Sequence, residues 1–199
     1  TLDTNMSYVN QLVQNTDANV YFALIPEKSE IWSDRLPNLT PNDSQAELIE
    51  YCYGLSNANN VDMLSPLREH ADEYIYYRTD HHWTSLGAYY GFTALGKAMG
   101  IDVPALDSYT DRHTVSDSFY GTTWSSSGFS WVKPDSMEVF VNEPEGLKIT
   151  SYPTGSPEEG QLYDGSYLEK KGKYCMFMGG KCPLHEIVTG NEGPSLLII

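Results

Sequence analysis

Basic residues are scarce in this 199-residue chain: 12 Lys and Arg stand against 27 Asp and Glu, a formal charge of −15. That balance argues against nucleic acid, or an anionic membrane surface, as a partner held by a basic patch. No apolar run approaches the ~18 residues that span a bilayer; the longest, Val20–Ile25, ends at Pro26. Cysteine is limited to Cys52, Cys175 and Cys182. An odd, sparse set makes no disulfide framework, although Cys175 and Cys182 would pair if they faced each other across a hairpin. No period recurs, which excludes collagen, coiled coil and repeat arrays. G-x-S-x-G, G-x-G-x-x-G and Walker A patterns are all missing, so neither a nucleophile elbow nor a nucleotide cofactor is indicated, and no cofactor is expected.

What is present is enough for a folded core: 40% of residues are hydrophobic and 13% aromatic, Tyr alone numbering 15. Tyr suits a polar-ligand groove, and equally a half-buried sheet face. Residues 5–15 read as a helix with Tyr8 and Leu12 on its apolar side. Val20–Ile25 (VYFALI) reads as a strand buried on both faces. Ser44 and Glu47 form a capping box for a helix running to about Tyr53. Val61–Leu64 reads as a short strand and Pro66–Ala71 as a helical turn. Helix, buried strand and helix in succession open an α/β layer architecture.

Glu73–Arg78 is β-prone, and Thr84 or Ser85 caps a helix whose Ala88, Phe92, Leu95 and Met99 share one face, with Gly100 at its end. After Ile101 the texture changes to Ser, Thr, Gly and aromatics. Met137–Val141 and Leu147–Ser151 read as strands around an Asn142–Gly146 turn, and Tyr174–Met178 as another. Ser195–Ile199 reads as a buried strand. Such strands normally deliver a loop and a helix next, so the expectation is an α/β domain truncated at its C-terminus.

The polar run Asp80-His81-His82-Trp83 lies between a β-like segment and a helix N-terminus, a favoured place for chemistry in α/β folds. In extended backbone Asp80 and His82 share a face. A carboxylate there accepts the imidazole Nδ1–H, fixes the tautomer and stabilises the imidazolium formed on proton uptake. The same spacing also fits a structural histidine beside an ordinary helix N-terminal charge, and spacing alone does not choose. Metal is the weaker reading. Asp80, His81 and His82 would need help from His70 or His113, and Cys175, Cys182 and His185 lack a C-x-x-C pair; no metal is expected. Ser125, Ser126 and Ser127 read as a turn-forming loop rather than a nucleophile.

The run Tyr76-Tyr77-Arg78-Thr79-Asp80-His81-His82-Trp83-Thr84-Ser85-Leu86-Gly87-Ala88 resembles the signature of the bacterial DHHW proteins. That family is similar to the SGNH-hydrolase-like domains of cell-envelope polysaccharide O-acetyltransferases of the alginate acetylation type. Asp117–Ser127, Pro134-Asp135, Tyr163–Ser166 and Phe177–Gly180 resemble further landmarks of the family. The resemblance implies a three-layer, flavodoxin-like α/β fold around a parallel sheet, one domain over 1–199 with a β-rich insertion at about 107–170. It implies His82 as general base and Asp80 as its orienter, with the nucleophilic Ser in a D-S motif after a strand like Ser195–Ile199. Residues 1–199 alone are then expected to be inactive. Lys181 and Cys182 stand where the resemblance leads one to expect a Gly-Asn type sequence. The implied activity is an acetyl esterase or O-acetyltransferase on a cell-envelope glycan, outside the cytoplasm, with a membrane-bound acyl-donor partner. Tyr76, Trp124 and Trp131 are candidates to stack on sugar. The alternative is a non-catalytic glycan-binding or structural module of the envelope.

Overall fold

The computed structural model describes residues 1–199 and divides them into two compact units, Thr1–Ser108 and Tyr109–Ile199. The first unit holds a parallel strand pair, β1 (Tyr21–Ala23) and β2 (Asn59–Val61), in register Tyr21↔Asn59 to Ala23↔Val61. Parallel strands need a long connection. Here it contains α2 (Lys28–Ile31) and α3 (Gln45–Leu55), while α1 (Leu2–Gln14) precedes β1. Ser44 caps α3 as the sequence predicts, its hydroxyl accepting from Glu47 N at 3.2 Å. The helix passes Gly54 and ends at Leu55.

Two expectations fail at this end of the chain. The VYFALI strand is only three residues long and half-buried, with Ile25 49% exposed. Its sheet has two strands, so β1 has a single neighbour. In α1 the buried residue is Met6, and Tyr8 and Leu12 are exposed. Polar contacts seat α1 against α3 instead. Asn10 Nδ2 donates to Leu55 O at 2.8 Å, and its Oδ1 accepts from Asn57 N at 2.8 Å.

After β2 come α4 (Leu64–Glu69) and α5 (Ser85–Met99). Asp62 starts α4 by accepting from Leu64 N and Ser65 N at 3.1 and 3.0 Å. Gly100 ends α5 in the left-handed conformation, φ +67°. The core gathers Ile31, Leu67, Ile75, Tyr76 and Tyr90, with Trp32, Trp83 and Leu86 packed against it. The predicted apolar face of α5 is corrected: Gly87, Tyr90, Gly91 and Gly96 are buried and Phe92 is exposed. Trp83 occupies the space above Gly87 and Gly91, and Val103 that above Gly96, which a helix face rich in side chains would close.

In the second unit β3 (Asp111–Phe119) pairs antiparallel with β4 (Asp135–Val141), with register irregularities after Thr114 and Ser116. Between them lies a short helix, α6 (Thr122–Ser127). The Ser-rich stretch is thus helix rather than loop, and Ser126 and Ser127 return their hydroxyls to carbonyls of their own turn. β5 (Lys148–Ser151) is the centre of an antiparallel sheet with β6 (Glu158–Glu159) and β7 (His185–Val188). The strands expected on either side of Asn142–Gly146 therefore lie in different sheets. Tyr174–Met178 is no strand; Lys173–Met176 forms a 3-10 turn.

Ser195–Ile199 pairs with no strand, and Leu196 to Ile199 are 55, 73, 79 and 97% exposed. An apolar run becomes a strand only where a neighbour takes its backbone hydrogen bonds. All three cysteines are free thiols. The architecture is mixed α/β, with sheets of two, two and three strands.

Candidate active site

The chain from Ile75 to Thr84 folds back on itself. Thr84 N donates to Ile75 O at 2.9 Å, Tyr77 N donates to His82 O at 3.2 Å, and Tyr76 and Trp83 form a bridge. Thr84 closes this hairpin and opens α5 at once: its hydroxyl donates to Tyr74 O at 2.7 Å and accepts from Gly87 N at 3.3 Å. The residues beyond the Tyr77–His82 rung form the tip, which carries Asp80 and His81.

Asp80 is 2% exposed. Its Oδ1 accepts from His82 Nδ1, and from the His82 backbone N–H at 3.0 Å. Sequence spacing pairs these residues through extended backbone; the structure pairs them through an Asx turn, in which an Asp side chain accepts from the amide two residues on. The outcome for the imidazole is the same. A carboxylate placed there accepts an Nδ1–H and leaves Nε2 as the nitrogen that faces a reactant. The His82 side chain is 37% exposed, open enough for a reactant to approach.

His81 lies over His82, ring centroids 3.9 Å apart, with its Nδ1 3.7 Å from Asp80 Oδ1. One ligand atom from each of Asp80, His81 and His82 falls within 4.8 Å of the others, so these three are the residues able to hold a metal ion. His70 does not join them. It bonds Glu73 at 2.7 Å and stacks on Tyr90 at 3.6 Å. His113 pairs with Asp111 in the second unit at 2.8 Å. The Cys175, Cys182 and His185 set does not converge: His185 Nδ1 bonds the Ser151 hydroxyl, and Cys182 Sγ donates to Leu184 O.

The aromatic candidates fare differently. Tyr76 is 1% exposed, set edge-on to Trp32 and donating its hydroxyl to Pro26 O. Burial, with the Glu27 charge a smaller cause, pushes its phenol pKa up. It is a core residue and offers no face to a sugar. Trp124 is half-buried against Tyr120, centroids 4.4 Å apart, and its indole N–H is buried with no partner. Trp131 is 78% exposed beside Phe129, centroids 5.5 Å apart. An open cleft of about 610 Å³ also lies in the second unit, lined by Glu143, Lys148, Glu158, Glu159 and Tyr163 among others; it contains none of the sequence-predicted site residues.

Lys28 is the site residue that sequence reasoning misses. Its ammonium donates to three carbonyls of the hairpin. A lone Lys after a Pro, some fifty residues before the motif, carries no pattern that would have marked it.

A buried carboxylate is thus bonded to a half-exposed imidazole, on a hairpin fixed to a capped helix of an α/β fold. The chain belongs to the DHHW family: the family described as "DHHW protein" matches residues 2–199. Among solved structures, a DHHW family protein from Eubacterium siraeum DSM 15702 superposes with a TM-score of 0.79 at 26% identity, over 96% of this chain and 65% of that one. Bacillus cereus PatB1 carrying a sulfonyl adduct gives 0.75 at 17% identity, over 96% and 68%. The O-acetyltransferase domain of Pseudomonas putida AlgJ gives 0.54 at 18% identity, over 69% and 54%. The last two are likenesses of fold. The chain spans about two thirds of the length of the first two. No curated protein matches the sequence.

Proposed function

We propose that this chain carries the general base of an SGNH-type acyl-transfer site that moves an acetyl group to or from a hydroxyl of a cell-envelope glycan. The observation that carries the reading is the Asp80–His82 hydrogen bond through Nδ1. Membership of the DHHW family and the fold shared with the AlgJ O-acetyltransferase domain support it. In this reading the β1–β2 pair belongs to the parallel sheet of a three-layer fold, and the nucleophilic Ser lies outside residues 1–199.

His82 Nε2 takes the proton of that Ser hydroxyl as its oxygen attacks the acyl carbonyl. Asp80 stabilises the resulting imidazolium through Nδ1–H. The tetrahedral intermediate collapses to an acyl-serine, and the imidazolium returns its proton to the departing alkoxide. A sugar hydroxyl or water, deprotonated by the same nitrogen, then takes the acyl group, the acyl–Ser bond breaks, and the imidazolium returns the proton to the departing Ser oxygen. The site works outside the cytoplasm, supplied by a membrane-bound acyl donor. Trp131, exposed beside Phe129, is the stacking candidate for sugar, with Trp124 second.

The test is ester turnover and labelling by a sulfonyl fluoride in the full-length protein, with His82→Ala alongside. The reading predicts turnover and labelling that both collapse in the variant. A wild-type protein that retains glycan yet neither turns over esters nor labels would be a binding module instead.

A further inference from the structure

Lys28 opens α2, directly after the extended Glu27 in the segment that follows β1. Its Nζ lies 3.0 Å from Tyr77 O, 3.1 Å from Arg78 O and 2.7 Å from Asp80 O. An ammonium has three N–H donors, and three carbonyls of one hairpin tip converge on this one. Brought together, their oxygens repel one another unless a cation sits between them. The geometry points to Lys28 as a positioning residue for the Asp80–His82 pair, a cation built into the chain that fixes the hairpin tip from which Asp80 reaches His82. The inference rests on the proposed role of His82 as base.

Lys28 is itself held in place from both sides. On its N-terminal side, Pro26 O accepts the Tyr76 hydroxyl, and Glu27 N donates to Gln45 Oε1 at 2.9 Å. Two residues on, Glu30 is buried. It accepts from Arg68 Nη2 at 2.6 Å and from Gln45 N at 2.8 Å. A helix of four residues would not hold a long side chain still by itself; these contacts anchor α2 to α3 and α4. The side chain must also be Lys. A compact ammonium serves three carbonyls converging on one point, whereas guanidinium offers a flat fork.

Remote misplacement of a catalytic group by about 1 Å is worth on the order of 100-fold in rate. In the full-length protein, Lys28→Met is therefore expected to lower kcat roughly 10- to 100-fold with KM little changed. Ammonium or potassium ions, which carbonyl oxygens accept, should restore part of that loss, and tetramethylammonium should not. Lys28→Arg keeps the charge and should keep the fold, yet lose kcat. A second readout needs no turnover: the downfield proton resonance of His82 Nδ1–H should shift or broaden in both variants and sharpen again with ammonium. Should the wild type prove inactive, the base reading fails while this resonance still tests positioning. Folded variants with wild-type kcat and an unmoved Nδ1–H resonance would overturn the inference.

Discussion

The six-membered ring of Trp83 lies 2.7 Å from where a Cβ on Gly91 would stand. One turn earlier, a Cβ on Gly87 would meet Ile75 O at 2.2 Å and Trp83 Cβ at 2.9 Å. Positions i and i+4 lie on one helix face. Two glycines there open the groove that seats Trp83, and through it the His82 backbone. Overpacking typically costs about 1–3 kcal/mol. Gly91→Ala is expected in that range, because the Trp83 ring has some room to shift. Gly87→Ala should exceed it, because a backbone carbonyl of the hairpin stands in the way. Denaturant midpoints at constant m-value measure both, and equal losses would show that Ile75 yields as easily as the ring.

Asp80 and His81 both flank His82 and should differ sharply. Substituting the orienting carboxylate of a catalytic triad by its amide costs about 10⁴-fold in kcat. Asp80→Asn in the full-length protein is expected to approach that loss. His81→Ala removes a ring packed over His82 and its Nδ1 contact of 3.7 Å with Asp80, and should cost less than about 10-fold, below the usual range for losing a general acid or base. Steady-state ester hydrolysis compares them; a larger loss at His81 would exchange their assigned roles.

Tyr76→Phe tests whether this ring serves the core or the substrate. It deletes a hydrogen bond to Pro26 O, for which about 1 kcal/mol of stability is expected, with glycan affinity unchanged. Trp131→Ala, at an exposed position, should leave stability within about 0.5 kcal/mol and weaken glycan retention. Thermal unfolding and glycan pull-down on both variants read the two effects, and weakened retention in Tyr76→Phe alone would reverse the assignment.

Two carboxylates tie the stability of the first unit to acid pH. Glu73 is held low chiefly by its hydrogen bond with His70; burial opposes this and the Tyr90 hydroxyl adds to it. At Asp62 burial pushes the pKa up, but hydrogen bonds from Ser65 and Leu64 outweigh it, and the net shift is down. A folded pKa below the unfolded value means stability that is complete above the ordinary carboxylate pKa of about 4. That stability is lost as pH falls through the folded values. Tm should therefore hold from neutral pH to about 5 and fall below about 4. Glu73→Gln and Asp62→Asn should each have a shallower fall. Identical acid limbs in variants and wild type would remove both groups from the account.

Some of this protein was legible in its sequence because the contacts involved are local. Ser44 reaches Glu47 N, Thr84 reaches Gly87 N, and Asp80 reaches His82, all within three residues, so spacing brings each pair into reach, although it leaves Thr84 and Ser85 as alternative caps. Gly100 ends α5 because glycine adopts a positive φ without a steric cost. Tertiary structure decided the rest. Apolar periodicity placed Phe92 inside and Tyr8 beside the core, but burial depends on what arrives opposite, and Trp83 and Asn10 altered that. Ser195–Ile199 has the composition of a buried strand and no partner to make it one. Lys28 is the sharpest instance: 52 residues separate its ammonium from the Asp80 carbonyl it holds. Only the packing of α2 brings the two together, because a single lysine's reach carries no periodic signature along the chain.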